Sequence, residues 1–232
     1  MSSRTNGRLR ALIIEHERPT PAGFVSDWLA QHDADVDELK IDVEDREVDP
    51  REYDLLVPLG SEHPPYADHI PWIPRELELL RHAHKADVSV LGICFGGQLL
   101  ARALGSRCFR SDVSEIGWLP VRTSDPELVP EGPWFQWHFD TFEPPRGAAV
   151  VAETEVGPQA FVVGRSLGVQ FHPEVTNEIM EDWVRVYRHE LDAEGVDPDA
   201  LLAETYARAD SARETSRRML DAFLERVAKR PR

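Results

Sequence analysis

The sequence has few cysteines, little basic charge and no long hydrophobic run. Its 232 residues include two cysteines, Cys94 and Cys108, too few for a disulfide framework. The chain has 26 Lys and Arg residues but 42 Asp and Glu residues. The resulting net charge of −16 argues against a surface that binds nucleic acid or an anionic membrane. No apolar run approaches the ~20 residues of a membrane span, and residues 1–8 lack the apolar core of a signal peptide. We therefore expect a protein of the reducing cytoplasm.

The first half of the chain alternates between apolar runs and amphipathic stretches. Apolar runs predict three strands, at residues 8–15, 53–59 and 88–91, and an alternating pattern predicts another at residues 36–41. Helical spacing of apolar residues predicts three helices, at residues 22–31, 74–86 and from the end of the fourth strand to about residue 104. This order is typical of βαβ units and a mostly parallel sheet. Ligands bind beyond the carboxyl ends of the strands in such sheets.

The second half has a different pattern. Shorter strand-like runs, separated by prolines and glycines, occur at residues 108–110, 116–123, 148–152, 160–164 and 167–171. They indicate an antiparallel or mixed section that completes the sheet. A helix is predicted at 177–191, and a last helical stretch, capped by Asp197 or Asp199, covers 199–227. We therefore expect two units, a domain of residues 1–192 and a C-terminal helical extension of residues 193–232.

The predicted extension has an uneven but recognisable apolar side. It is formed by Leu201, Leu202, Tyr206, Met219, Leu220, Phe223, Leu224 and Val227. Packing of this side on its own domain is one interpretation, and a surface for a homo-oligomer or another partner is the second. A cover over the functional site is a further hypothesis.

Cys94 stands between a predicted buried strand and a predicted helix, with Gly92 and Gly96 on either side. A nucleophile between glycines at this spacing is raised above the edge of a sheet by a sharp strand-to-helix turn. The helix dipole favours the thiolate there, and the backbone N–H of Phe95 is placed to stabilise an oxyanion. A buried, inert thiol is the structural alternative.

A cysteine nucleophile needs a base, and the base needs a group that orients it. Among nine histidines, His172 is best placed because it follows an apolar strand. Glu174 lies two residues further on, so it can hydrogen-bond one imidazole nitrogen while the other faces Cys94. A pair of surface residues at a strand end is the structural alternative.

The motifs Gly92–Gln98 and Gly168–Glu174 together resemble the class I (triad) glutamine amidotransferase family, over about residues 8–190. The resemblance implies a flavodoxin-like α/β fold, a three-layer sandwich with helices on both faces of the sheet. It implies a catalytic triad of Cys94, His172 and Glu174. In the implied reaction the thiolate attacks glutamine or a γ-glutamyl amide, forms a γ-glutamyl thioester and releases ammonia or an amine before water completes the hydrolysis.

Other site residues follow from the same resemblance. Gln98, one helical turn after Cys94, matches a glutamine that contacts the substrate. Gly60 matches the first glycine of the family's Gly-Gly-Pro segment, while Ser61 stands where the second glycine donates its N–H to the oxyanion. Serine supplies the same N–H, at a higher cost if the position requires positive φ. Nearby His63 is either a second base or an ordinary loop histidine.

Two further stretches indicate a branch of stand-alone members related to the amidotransferase domain of GMP synthase, which also includes γ-glutamyl peptidases. One stretch is expected to line the glutamine pocket, through Glu115, Ile116, Gly117 and Trp118. The other, Trp137–Phe142, resembles a segment near the family's site and makes His138 a substrate-binding candidate. Core packing of the tryptophans and a loop hydrogen bond at His138 are the alternatives.

Three functions remain open from the sequence. The first is a glutamine amidotransferase that passes ammonia to a separate acceptor enzyme, because the about 60 residues after Glu174 are too few for a synthetase domain. The second is a γ-glutamyl peptidase that needs no partner, and the third is a catalytically silent binding subunit. His82 and His84 do not share a helix face, so we expect no metal and no cofactor.

Overall fold

The computed structural model describes residues 7–17 and 20–228. The first residues of the predicted domain and the last residues of the predicted extension therefore lie outside the described part, as do most of residues 1–8. The described residues form ten strands, β1 (Arg10–Glu15), β2 (Asp35–Lys40), β3 (Leu55–Pro58), β4 (Ser89–Ile93), β5 (Cys108–Leu119), β6 (Arg122–Thr123), β7 (Trp134–Phe142), β8 (Ala149–Glu153), β9 (Pro158–Val163) and β10 (Ser166–Val169). They also form six α-helices, α1 (Gly23–Gln31), α2 (Trp72–Lys85), α3 (Phe95–Ala103), α4 (Asn177–Val186), α5 (Arg188–Glu194) and α6 (Pro198–Phe223).

The central sheet has eight strands in the order β2-β1-β3-β4-β10-β9-β8-β6. Pairing is parallel from β2 to β10 and antiparallel from β10 to β6. The carboxyl ends of β1, β3, β4 and β10 therefore lie along one edge. Chain order reverses between β1 and β3, and such a point is where a sheet of this kind binds its ligand.

Alternate residues of the buried strands face two separate hydrophobic cores. Ala11 and Ile13 of β1 pack into the core that contains α1 and the end of α6, whereas Leu12 and Ile14 pack into the core that contains α2 and α3. Strands covered on both faces must be apolar at nearly every position, which is why β1, β3 and β4 are continuous apolar runs. The expected three-layer α/β sandwich is confirmed.

The second half departs from the predicted strands in one respect. Residues 108–110 and 116–119 belong to a single strand, β5, which is irregular between Arg110 and Glu115. It pairs with β7, a strand that the sequence patterns did not predict, as a separate two-stranded ribbon. The expectation that this half completes the sheet is therefore right for β6, β8 and β9 and wrong for β5. The ribbon packs Trp118, Phe135 and Trp137 against α4 and α5 in a third core.

Two helical predictions also change. The helix predicted at 177–191 is two helices, α4 and α5, which meet at Tyr187. Asp197 caps α6 by accepting hydrogen bonds from the N–H groups of Asp199 and Ala200. Of the predicted apolar side of α6, Met219, Leu220 and Phe223 are buried in the core with α1, whereas Tyr206 is exposed.

The boundary between the two predicted units stays a prediction, as does an oligomer formed through the C-terminal helices. The described helices contain none with both the length and the apolar composition that crossing a bilayer requires.

Candidate active site

A cavity of about 320 Å³ opens where β3, β4 and β10 end. The loop after β3, the β5–β7 ribbon and α5 form its walls. Six of the residues predicted for the site line it, namely Gly60, Ser61, Cys94, Gln98, His138 and His172. No residue of α6 lines it, so α5 rather than α6 closes this side of the site.

Cys94 occupies the sharp turn between β4 and α3. Its backbone has φ 50° and ψ −109°, a conformation that non-glycine residues rarely adopt. A Cβ on Gly96 would lie 2.1 Å from the carbonyl oxygen of Pro58, and one on Gly92 would lie 2.6 Å from that of Gly96. These two glycines are therefore required by the close passage of the backbone. The turn leaves Cys94 only 6 % exposed, at the cavity.

His172 and Glu174 form a buried pair beside the same cavity. The Nδ1 of His172 lies 2.6 Å from Oε1 of Glu174, and the backbone N–H of His172 donates to the carbonyl of Phe135. The indole ring of Trp183 meets the imidazole edge-on, with ring centroids 4.8 Å apart. Nε2 has no hydrogen-bond partner among the described residues. This leaves one imidazole nitrogen free to exchange a proton at the site.

The charges around His172 favour its protonated form. Burial lowers the pKa of this imidazole, but the carboxylate of Glu174 and the neighbouring Cys94 outweigh burial and raise the pKa to about 10. At neutral pH a protonated His172 therefore lies beside Cys94. Such a pair combines a nucleophile with a general acid.

A chain of amides links the ribbon to the cysteine. Gln98 donates from Nε2 to the carbonyl of Asp140 at 2.9 Å and to Oε1 of Gln170 at 3.1 Å. Gln170 in turn directs its Nε2 at the Sγ of Cys94, at 3.6 Å. Gln98 thus lines the cavity with its amide already fixed. Gln170 is a functional candidate that sequence reasoning missed, although its place two residues before His172 was available as a signal.

The loop after β3 adopts its conformation without the strain expected of serine. Among the described non-glycine residues, positive φ occurs at Asp33, Asp87 and Cys94, and therefore not at Ser61. The Oγ of Ser61 donates to Glu17 at 3.1 Å, and the backbone N–H of Glu62 donates to the same carboxylate. Burial raises the pKa of Glu17.

The segment predicted to line the glutamine pocket lies behind the cavity instead. Glu115, Ile116, Gly117 and Trp118 are not among the lining residues. Trp118 is buried in the third core and donates from its indole to Thr205, which matches the alternative of core packing. Glu115 is buried with its Oε2 3.1 Å from Nε2 of His138, so it contacts the cavity wall through that histidine. Substrate contact by this segment stays a prediction.

One arginine and several carboxylates line the cavity. Arg110 stacks over the ring of Phe139 at 4.4 Å, and the carboxylates of Asp140, Glu190 and Glu194 line the same walls. His63 also lines the cavity, with its ring 5.9 Å from that of Trp72. Within the described ranges, no three His, Cys, Asp or Glu side chains gather as ligands for a metal ion.

The sheet order and the cysteine at its edge define a flavodoxin-like α/β protein with a sharp turn at a cysteine after the fourth strand. Residues 26–184 match the family described as glutamine amidotransferase class I. The chain belongs to the class I glutamine amidotransferase family.

Solved structures show the same relationship over nearly the whole chain. A glutamine amidotransferase from Thermotoga maritima is 33 % identical, with a TM-score of 0.86 over 95 % of this chain and 100 % of that one. A glutamine amidotransferase from Methylobacillus flagellatus is 24 % identical, with a TM-score of 0.87 over 97 % of this chain and 98 % of that one, which shows the shared fold.

Curated relatives match over a shorter span. GMP synthase from Thermus thermophilus is 40 % identical over 110 residues, which are 42 % of this chain and 22 % of the relative. GMP synthase from Aeropyrum pernix is 36 % identical over 108 residues, 41 % of this chain and 21 % of the relative. The matched part thus spans about a fifth of those proteins. A protein from Sulfurisphaera tokodaii, named as one subunit of a glutamine-hydrolysing GMP synthase, is 30 % identical over 112 residues, 44 % of this chain and 58 % of the relative.

Proposed function

We propose that this protein hydrolyses the γ-amide of glutamine by covalent catalysis. Cys94 is the nucleophile, His172 is the acid and base, and Glu174 orients His172. The observation that carries the proposal is the arrangement of a strained, nearly buried cysteine and a carboxylate-bound histidine on one cavity. Membership of the amidotransferase family supports it independently.

In the first half of the reaction, the thiolate of Cys94 attacks the γ-carbonyl carbon of glutamine. The carbonyl oxygen becomes an oxyanion, for which the N–H groups of Ser61 and Phe95 are the proposed donors. Phe95 is the first residue of α3, where backbone N–H groups have no partner within the helix. His172 gives its Nε2 proton to the amide nitrogen, the C–N bond breaks, and ammonia leaves a γ-glutamyl thioester.

In the second half, His172 is neutral and acts as a base. Its Nε2 takes a proton from water while the water oxygen attacks the thioester carbon. The C–S bond then breaks, glutamic acid leaves and gives its proton to solvent or ammonia, and the thiolate–imidazolium pair is restored. The hydrogen bond from Nδ1 to Glu174 keeps the ring oriented throughout.

The charges of the cavity wall suit the α-amino and α-carboxylate groups of glutamine. Arg110 forms no ion pair with any described carboxylate, and its guanidinium is held over Phe139. We propose that it binds the α-carboxylate, because a guanidinium recognises a carboxylate with two parallel hydrogen bonds. Asp140 and Glu190 supply negative charge for the α-ammonium on the same walls.

The ammonia acceptor is proposed to be a separate synthetase protein. The likeness to a relative that is itself named as one subunit of GMP synthase supports an arrangement in two chains. The cytoplasm remains the expected compartment, since both cysteines of the described chain are free and the nucleophile must stay reduced.

The test compares glutamine with γ-glutamyl peptides as substrates of the full chain. We expect glutamate and ammonia from glutamine, and a γ-glutamyl adduct on Cys94 in mass spectra of quenched reactions. Peptide cleavage with negligible glutamine hydrolysis would instead identify a γ-glutamyl peptidase. Absence of an adduct with either substrate, with and without a synthetase partner, would leave the role of a catalytically silent binding protein.

A further inference from the structure

His16 follows β1 and is buried behind the loop that contains Ser61. Its Nδ1 lies 2.9 Å from the carbonyl oxygen of Gly60, and its Nε2 lies 2.8 Å from Oε2 of Glu76. The side chains of His16 and Glu76 have no exposed surface. The carbonyl oxygen can only accept, so Nδ1 must carry a hydrogen; Nε2 faces a carboxylate and is satisfied by a second hydrogen. The geometry therefore indicates an imidazolium that donates in both directions.

The carbonyl of Gly60 belongs to the peptide group whose N–H is that of Ser61. Gly132–Pro133 is the cis peptide among the described residues, so the peptide between Gly60 and Ser61 is trans. In a planar trans peptide the C=O and N–H bonds point in opposite directions. A donor that holds the oxygen therefore also fixes the direction of the N–H. His16 acts on the side of this peptide that faces away from the cavity.

The surroundings of His16 leave it little freedom to move. Its ring lies 5.0 Å from that of Trp72 and 4.9 Å from that of Phe95, measured between centroids. Two charged groups act on His16, namely Glu76 in α2 and Glu17, the next residue in the chain. Both favour the protonated form of His16. Glu17 also accepts from Ser61 and Glu62, so consecutive residues after β1 hold consecutive residues after β3.

We propose that His16 and Glu76 are positioning residues that aim the Ser61 N–H at the oxyanion by holding the carbonyl of Gly60. This inference rests on the proposed function, because it assigns a role within the same reaction. It also accounts for the serine at this position: the peptide is oriented from behind by a charged donor, with no need for a glycine conformation. The charge of His16 further polarises the peptide and strengthens its N–H as a donor.

Two variants of His16 separate the two hydrogen bonds. In His16→Asn the amide nitrogen reaches the place of Nδ1 and still donates to Gly60, whereas in His16→Gln it reaches the place of Nε2 and leaves the Gly60 carbonyl unheld. We expect His16→Gln to lower kcat for glutamine about 100-fold, with KM changed less than about twofold. His16→Asn is expected to keep kcat within about tenfold of the wild type.

Alkylation of Cys94 by iodoacetamide is the control, since attack on a saturated carbon forms no oxyanion. Both variants are expected to alkylate at the wild-type rate. Equal kcat in His16→Gln and the wild type, equal losses in the two variants, or a parallel loss of alkylation would each overturn the inference.

The charge of Glu76 provides a readout that a purely structural role would not change. Burial lowers the pKa of His16, but Glu76 and Glu17 outweigh it and raise the pKa above its ordinary value. Glu76→Gln removes the stronger of these two interactions, so His16 should lose its proton at a lower pH. We expect kcat of Glu76→Gln to fall with rising pH at a lower pH than kcat of the wild type does. A variant whose kcat follows the wild-type pH profile would contradict the proposal.

Nitrogen NMR of the wild-type histidine rings decides the case without turnover. In a pH titration, His16 should keep the imidazolium pattern to a higher pH than an ordinary histidine does. A His16 that loses its proton at or below the pH of an ordinary histidine would overturn the inference even if every variant unfolds. Failure of the wild type to turn over any γ-glutamyl substrate would count against the proposed function alone.

Discussion

The cavity has two unlike sides. The strand-end edge, made of Gly60, Cys94 and His172, is held by backbone hydrogen bonds and by the buried side chains of His16, after β1, and Glu76, in α2. The ribbon wall, made of Arg110 and residues 137–140, carries exposed or half-exposed charge. Rigid, desolvated groups favour transition-state stabilisation, whereas exposed charges select the substrate. Changes at the edge should therefore act on kcat, and changes at the wall should act on KM.

The largest effect is expected from removing the nucleophile. Cys94→Ala should reduce glutamine hydrolysis by about 10⁴-fold or more, because no other group on the edge can form the thioester. Steady-state ammonia release measures the loss. Cys108→Ser is the matched control: Cys108 touches the backbone of Gln98 but does not line the cavity, so activity should stay near that of the wild type. Substantial turnover in Cys94→Ala would show that the strand-end edge does not supply the nucleophile.

The next largest effect is expected on the pH dependence of kcat/KM. Glu174 raises the pKa of His172, so Glu174→Gln should lower it and move the alkaline decline of kcat/KM to lower pH. At about pH 9 the kcat/KM of Glu174→Gln should be about 10² to 10⁴-fold lower than that of the wild type. The pH profile of kcat/KM provides the measurement. Glu178→Gln, which removes an exposed carboxylate in the first turn of α4, is the control and should leave the profile in place. An unshifted alkaline limb in Glu174→Gln would contradict the assigned role.

A smaller effect is expected from the ribbon wall, and it should appear in a different parameter. Arg110→Ala should raise KM for glutamine about tenfold while kcat changes less than about twofold, as for the loss of one charge-assisted hydrogen bond. Arg107→Ala is the control, because Arg107 also lies over an aromatic ring but does not line the cavity. A fall in kcat at constant KM would break the comparison, since the wall would then take part in the chemical step.

The smallest effect is expected at Ser61. Ser61→Gly keeps the N–H donor and loses only the two hydroxyl hydrogen bonds, the one donated to Glu17 and the one accepted from the N–H of His63, so kcat should change less than about fivefold. Ser61→Ala should behave alike, because φ at this position is not positive. Both are measured as kcat for glutamine hydrolysis. A gain of more than tenfold in Ser61→Gly would show that serine strains the loop after all.

The first half of the fold was predictable because its signals are local. Every strand predicted there is a strand of the central sheet, and α1 and α2 begin within two residues of their predicted starts. The ribbon was harder: β7 mixes buried aromatic residues with Gln136 and His138, so it does not alternate like a half-buried strand. The end of α4 at Tyr187 was missed for a related reason, since its apolar residues continue into α5.

The candidate site divides in the same way. Cys94, His172 and Glu174 could be proposed because each stands in a short motif after an apolar run. His16 and Glu76 could not, because their contacts join residues 44 and 60 positions apart. Gln170 reaches Cys94 over 76 positions, and only its place near His172 marked it as a candidate. Nothing near His16 in the chain indicates that its imidazole will meet the peptide of Gly60.

The sequence by itself determined the alternation of strands and helices and the sharp turn at Cys94, because burial periodicity and glycine spacing act between near neighbours. Only the tertiary structure decided which groups surround that turn. A parallel sheet brings the ends of β1, β3, β4 and β10 side by side, although the chain separates them by tens of residues. Burial at that edge then limits the partners within reach, and this fixes the carbonyl of Gly60 and the carboxylate of Glu76 as the partners of the imidazole at position 16.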